Sequence, residues 1–361
     1  MKGVKVFAVA LIIVLAFSTI LFAAGKKEAV KTEIKDPLYK AAIAEGGEVV
    51  SYDTGPNWAN WSEEFKEFQA TYEKVHISYN DLGSGATVAR LEKESLNPQA
   101  DTAYYSFVYG GIAKKKGVTQ GYKPTNFDKI PKGLKDPDGH WFTIHMGTVA
   151  FAVNTNIVKN VPKSWKDLLK PEYKGTIVYL DPRTTGVGFA VLVAASIANG
   201  GDEKNLDPGI EYLAKLQKAG NVKSIDTTVA KAKFLKGEIP MWISYDFNEY
   251  KAKYLEGAKC EIVIPKDGSV TVPYVISMVK GSPHPNAAKL WLNWILSKKG
   301  QEIFAKGFVR PAVPGIELPA EVKDKFLPES AYSAAKNVDW NAAKTVLSEA
   351  KKKWEEKVLG Q

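Results

Sequence analysis

Cysteine is nearly absent from this chain. Its 361 residues hold one, Cys260, so no intramolecular disulfide can form and burial alone must stabilise the fold. Histidine is almost as scarce. His76, His140, His145 and His284 are the four, and none stands in a His-Glu-x-x-His pair or at another metal-ligand spacing. The chain has no Gly-x-Ser-x-Gly turn and no Gly-x-Gly-x-x-Gly fingerprint, and no Gly-Lys-Ser/Thr follows its glycine-bearing turns. Hydrolase, dehydrogenase and nucleotide-dependent chemistry are therefore unsupported, and the chain reads as a non-enzyme without a cofactor or bound metal. The enzyme alternative left open is an exported hydrolase built from distant carboxylates. No basic helix with base-reading residues and no RNA-binding aromatic motif occurs, which argues against a nucleic-acid partner.

What is present points to a two-part globular protein. The length exceeds the size at which one core usually stops growing. Apolar residues make up 45% and charged residues 25%, ordinary values for a folded soluble chain. The net charge is +9, but the lysines are spread along the whole chain and read as solvated surface. Lys2 and Lys5 precede an apolar run over residues 6–24 that ends in Ala23-Ala24-Gly25. This is the layout of an export signal over residues 1–25, followed by a linker over 26–37. Export to the periplasmic space is the expectation, with an uncleaved anchor at the outer face of the inner membrane as the rival. A lipid anchor is disfavoured because Cys260 lies far from the cleavage region. Cys260 itself opens a strand and reads as a buried small residue.

Short apolar runs alternate with helical periodicity along the chain, an α/β pattern. The organising stretch is "PKSWKDLLKPEYKGTIVYLDPRTTGVGF", residues 162–189. Ser164 reads as the cap of a short helix that Pro171 ends. A buried strand over 177–180 then turns through 181–188 into a long apolar helix over 189–198. Ligands of open α/β sheets bind at such strand-end turns, where the first N–H groups of the helix are unsatisfied. Arg183, Thr184 and Thr185 are the candidates there.

Three other strand ends carry candidates of the same kind. "DTGPNWANW" follows strand 49–52 and offers Asp53, Asn57, Trp58 and Trp61, the tryptophans able to stack on a ligand or to cap a core. A turn at 81–85 offers Ser84 and backbone N–H groups before a helix. The run "MWISYDFNEY" ends in Tyr245, Asp246 and Asn248. Near the C-terminus, 286–306 reads as one helix with Leu290, Trp291, Trp294, Ile295 and Ile303 on its core face, and 341–358 as a last helix.

These motifs, with "GTVAFAVNTNIV", "IPKDGSVTVPYVISMVKGSPHPNAAKLWLNWILSKKGQEIF" and "VRPAVP" in the same order, resemble the bacterial extracellular solute-binding proteins of ABC importers. The resemblance is to the branch that holds ferric-iron, thiamine, phosphonate, sugar-phosphate and polyamine binders. It implies an α/β, two-lobe periplasmic-binding fold of type II, each lobe a mixed sheet flanked by helices, hinged on crossover strands. Lobe 1 is expected at 38–146 plus 273–313, and lobe 2 at 147–272 plus 314–361. Thr148, at the middle of a crossing strand, becomes a cleft candidate. A small-molecule ligand, a membrane permease as partner and a monomeric state are implied. Tyr104-Tyr105 is unlike the iron-binding tyrosine pair of the family, which lies in the second lobe. For the ligand, the aromatic residues with Asp53, Asp81 and Asp246 favour an organic cation of thiamine or polyamine type. Arg183 and the helix N-termini suit a phosphonate, sugar phosphate or carboxylate instead, and ferric iron stays an alternative.

Overall fold

The computed structural model describes residues 36–226 and 229–360, so the expected export signal and most of the linker lie outside the described residues. Two mixed sheets are joined by one shared strand. The strands are β1 (Glu48–Tyr52), β2 (His76–Asn80), β3 (Thr102–Ser106), β4 (Thr119–Gln120), β5 (Phe142–Asn154), β6 (Ile177–Leu180), β7 (Val222–Asp226), β8 (Met241–Tyr245), β9 (Cys260–Val263), β10 (Ser269–Val279), β11 (Arg310–Pro311) and β12 (Ala335–Asn337). Their order is β2-β1-β3-β10-β5-β8-β6-β7. The β1 pairings are parallel and β10 runs antiparallel to both β3 and β5. β5 pairs with β10 up to Thr148 and with β8 and β9 from Val149 onward. It therefore leaves one sheet and enters the other within a single residue step.

The helices are α1 (Pro37–Ala44), α2 (Trp61–Thr71), α3 (Ser84–Lys93), α4 (Phe107–Lys115), α5 (Gly186–Ala198), α6 (Asp207–Lys218), α7 (Ala230–Leu235), α8 (Asp246–Tyr254), α9 (Pro285–Ile295), α10 (Lys298–Lys306), α11 (Ala320–Lys323) and α12 (Trp340–Trp354). Local chemistry sets their ends. Asp36 accepts from Leu38 N–H at the start of α1, and Gly46 and Gly47 follow its end with φ of 109° and 67°, values an L side chain rarely adopts. Thr185 caps α5 by accepting from Gly188 N–H at 3.0 Å, so this helix begins three residues earlier than its apolar run indicates. It is buried on every side from Gly186 to Ile197.

Two expected helices are different. Residues 164–170 form no α-helix: Ser164 Oγ accepts from Asp167 N–H as a cap should, but the segment is a 3-10 turn over Lys166–Leu169; it stops before Pro171 with Lys170 extended, and Pro171 opens a second such turn. The helix expected at 286–306 is two, α9 and α10. The break is at Ser297, whose Oγ donates to Trp294 O at 2.6 Å and accepts from Gly300 N–H at 3.1 Å, ending one helix and capping the next. A serine alone gives little warning of this in a sequence without proline or glycine at the break.

An aromatic cluster packs between α2, α9 and the first sheet. Trp61 is fully buried among Phe65, Tyr104, Trp291 and Phe304. Trp291, Trp294, Leu290, Ile295 and Ile303 are buried as their spacing predicts, and Cys260 is buried in β9. The C-terminal helix α12 packs against both α6 and α4, bridging the two halves and not resting on the second alone. Because Trp61 fills a close-packed interior, Trp61→Ala is expected to cost about 3–5 kcal/mol, read as a lower midpoint in urea unfolding. A loss under about 1 kcal/mol would contradict this packing.

Candidate functional site

The strand-end loops of the two sheets meet at a small cavity. From the first sheet come Asp53, Asn57 and Trp58 after β1, Asp81 to Ser84 after β2, and Tyr274 of β10; from the second come Leu180 and Thr185 to Val187 after β6, Ala230 and Lys231 of α7, and Trp242 of β8. The space open to water centres is ≈ 70 Å³, room for several water molecules. The walls are held together across it. Gly85 N–H donates to Thr184 O at 3.1 Å, Lys231 Nζ to Asn57 O at 2.9 Å and Lys251 Nζ to Asn60 Oδ1 at 3.2 Å. The approach is close enough that a Cβ on Gly83 would lie 2.6 Å from Thr184 O, and one on Gly186 2.4 Å from Ser106 Oγ.

Two carboxylates dominate the electrostatics. Asp53 is buried at the end of β1 with a left-handed φ of 63°. Burial, and then the neighbouring Asp81, push its carboxyl well above the usual range, while Leu82 N–H and the Ser84 hydroxyl draw it partly back. Burial raises Asp81 as well. The cation in the lining is Lys231, and it is committed elsewhere: its Nζ pairs with Glu256 at 2.8 Å, and burial lowers its pKa. The carboxylate pair thus faces the cavity with no cation of its own among the described residues.

The aromatic wall is held by a relay. Trp58 Nε1 donates to Tyr104 Oη at 2.8 Å, and Tyr104 Oη lies 2.7 Å from His145 Nε2. An indole only donates, so the Tyr104 oxygen accepts from Trp58. Burial lowers His145 to about 3, keeping the ring neutral. Tyr245, Phe247 and Tyr274 pack edge-on or tilted against the Trp58 ring.

Of the residues singled out from sequence, the structure brings Asp53, Asn57, Trp58, Asp81, Ser84 and Thr185 to this cavity. Ser84 opens α3 as its first residue, and Gly83 occupies the cap position. The others lie elsewhere. Trp61 belongs to the core. Arg183 is bound to Asp181 at 2.8 Å and to Glu355 at 2.5 Å, and with the exposed Thr184 it lines an outer groove. Its charge is neutralised by its own turn and by the C-terminal segment, so it offers no anion site in the cavity. Tyr245 and Asn248 are fully buried outside the cavity lining. Asp246 is a joint. Its carboxylate accepts from Thr148 N–H and Phe247 N–H at 2.9 Å each and from Tyr332 Oη at 3.0 Å, with Arg310 Nε at 3.8 Å. Thr148 shares that hinge region, its Oγ1 3.1 Å from Thr271 Oγ1. Sequence reasoning missed Lys231 and Tyr274 as site residues; both sit inside regular elements and carry no turn signal. Among the described residues no cluster of three or more His, Cys, Asp or Glu is placed to hold a metal ion. Tyr105 Oη donates to Ser277 Oγ, so both tyrosines of the Tyr104-Tyr105 pair are engaged in hydrogen bonds within the protein.

Comparison with known proteins agrees with this architecture. The model of the bacterial extracellular solute-binding protein family matches residues 98–346, and the chain belongs to that family. A Salmonella typhimurium protein provisionally named as a 2-aminoethylphosphonate-binding periplasmic protein is 30% identical over 235 residues, 63% of this chain and 66% of that one. The spermidine/putrescine-binding periplasmic protein of Escherichia coli is 24% identical over 300 residues, 79% of this chain and 84% of that one. Among solved structures, the periplasmic binding protein AfuA from Actinobacillus pleuropneumoniae with fructose-6-phosphate bound superposes with a TM-score of 0.74 at 25% identity, covering 87% of this chain and 99% of that one. The fold is the type II periplasmic-binding fold, and the family is one of binding proteins that serve importers.

The carboxylate pair gives a stability signature. With Asp53 raised above its unfolded value, the folded protein keeps a proton that the unfolded chain releases. Stability without ligand therefore falls as pH rises from the ordinary carboxylate range through the folded-state value. Asp53→Asn is expected to flatten that fall and to stabilise the ligand-free protein at neutral pH by about 1–3 kcal/mol, measured by urea unfolding between pH 4 and 8. An unchanged pH profile would remove the carboxylate from this role.

Proposed function

We propose that this chain is the substrate-binding component of an ABC-type importer that captures a small organic solute bearing an ammonium group. The solute is held between a first lobe of 38–146 plus 273–313 and a second of 147–272 plus 314–361, and is passed on unchanged to a membrane permease from the periplasmic side. One observation carries the ligand class: the buried Asp53 and the exposed Asp81 share an aromatic-walled cavity with no cation of their own among the described residues. An ammonium there offsets the repulsion between the carboxylates and gains up to ~2 kcal/mol against a desolvated aromatic face. The likeness to a spermidine/putrescine-binding protein supports this class.

A second reading rests on the first turn of α5. Gly186 and Val187 line the same cavity beside Ser84 at the start of α3, so two helix N-termini face the space that the carboxylates occupy. A zwitterion would set its ammonium on the aspartates and its anionic group at these N-termini, in keeping with the relative provisionally named for 2-aminoethylphosphonate.

The test is a titration of the purified protein, followed by calorimetry and thermal shift. The panel is putrescine, spermidine, thiamine, 2-aminoethylphosphonate, fructose-6-phosphate and ferric citrate. At least one ammonium-bearing compound is expected to bind, and Asp53→Asn and Asp81→Asn each to weaken it tenfold or more. Trp58→Ala is expected to lose binding with a much smaller stability cost than Trp61→Ala. Tight binding of fructose-6-phosphate or ferric citrate alone, undiminished in Asp53→Asn, would overturn the proposal; preference for 2-aminoethylphosphonate over putrescine selects the zwitterion reading.

A further inference from the structure

A second concavity of ≈ 500 Å³ lies on the outer side of the seam, where α3 and α4 face α12 and the turn after β6. It shares no lining residue with the solute cavity. Four cationic side chains line it, and two are already neutralised. Lys116 pairs with Glu92 at 2.6 Å, and Arg183 is held by Asp181 and Glu355. Lys344 and Lys351 have no carboxylate within ion-pairing distance among the described residues. They stand seven residues apart on α12, hence on one face, with the buried Leu347 between them.

Both ammonium groups lie against α4. Lys344 Nζ lies over α4, where a Cβ on Gly111 would be 2.7 Å from it, and Lys351 Nζ lies 5.3 Å from the centre of the Tyr109 ring. The Tyr109 hydroxyl is buried and makes no hydrogen bond. Its oxygen is 3.3 Å from the Cβ position of Gly85, a first-turn residue of α3 that itself lines the groove. A buried hydroxyl left without an acceptor is destabilising, and the Lys351 ammonium beside its ring is a donor as well. Glu92 in the lining is taken by Lys116 and Asp181 beyond it by Arg183, so Lys344, Lys351 and the Tyr109 hydroxyl have no hydrogen-bonded acceptor of their own among the described residues.

We propose that this groove is a binding site for a small oxyanion of the phosphate or sulfate class, held by Lys344 Nζ, Lys351 Nζ and the Tyr109 hydroxyl, with the N-terminal turn of α3 at its edge. The anion clamps α12 onto α3 and α4. It thereby fastens the seam that Gly85 and Thr184 close beside the solute cavity.

Inorganic phosphate is the probe, added to the purified protein against sodium chloride at matched ionic strength and followed by thermal shift. A saturable rise in melting temperature beyond that of chloride is expected. The rise should disappear in the Lys344→Gln/Lys351→Gln double variant, weaken at least threefold in apparent affinity in Tyr109→Phe, and persist in Asp53→Asn. If the double variant does not fold, as judged by circular dichroism, the single lysine variants decide by the same criterion, each expected to bind at least threefold more weakly. The proposal is overturned if phosphate acts no differently from chloride or if the lysine variants respond like the parent protein. A response strengthened in Asp53→Asn overturns it too, since removing a carboxylate that repels phosphate would matter only if phosphate occupied the solute cavity.

Discussion

One strand carries the geometry on which the rest depends. β5 gives its first half to one sheet and its second half to the other, so the two sheets are continuous through a single backbone and their strand-end loops are brought face to face. A strand buried on both sides cannot slip by one residue without turning its whole apolar set over. The crossing is therefore fixed in register at the place where the strand passes from one sheet to the other. Asp246 meets this demand by accepting the N–H of Thr148, the residue at which β5 changes sheets. Arg310, stacked on Phe326 and Tyr332, balances the buried charge from the far side. Hinges absorb their angular change at a few such residues, and a buried carboxylate with several partners keeps the joint from fraying.

The contrast between Asp246 and Asp53 explains what each can do. Both are buried aspartates at the end of a strand, and burial raises both. Asp246 has two backbone donors, a tyrosine hydroxyl and a guanidinium to hold its charge. Asp53 has one backbone donor and one hydroxyl, and its nearest charged neighbour is another carboxylate. A satisfied buried charge is architecture; an unsatisfied one is a demand for a partner. Sequence alone gives no means of separating the two, because both lie in polar runs that follow an apolar strand.

Much of the fold was legible because apolar runs, helical spacing and turn residues agree with one another along this chain. The cavity-facing residues Asp53, Ser84 and Thr185 were legible for the same reason: each follows a buried strand and precedes a helix. Trp58 and Trp61 were not separable. They stand in one loop three residues apart, and what divides them is a backbone feature, the left-handed φ of 40° at Ala59 and 62° at Asn60. That turn starts α2 and swings the second indole into the core. Asn60 is held there by donating its amide to Ile303 O at 2.8 Å, a partner 243 residues away. The place of Arg183 was hidden for a similar reason, since Glu355 reaches it from the last segment of the chain. Contacts made across such sequence distances leave no local trace.

The closed seam itself bears on how such a protein could signal that it is loaded. Bringing the walls together buries Asp53 and Lys231 and places two carboxylates against each other, which disfavours the closed arrangement when the cavity is empty. Hydrogen bonds such as Gly85 to Thr184 and Lys231 to Asn57 act in the opposite sense. On the proposed reading, a cationic solute removes the first term and leaves the second, so its affinity for the closed arrangement exceeds that for the open one. A ligand shifts an equilibrium only by that difference in affinity. The same uncompensated charge that makes the empty cavity unfavourable is then what lets occupancy, and not binding strength alone, be read from the protein's shape.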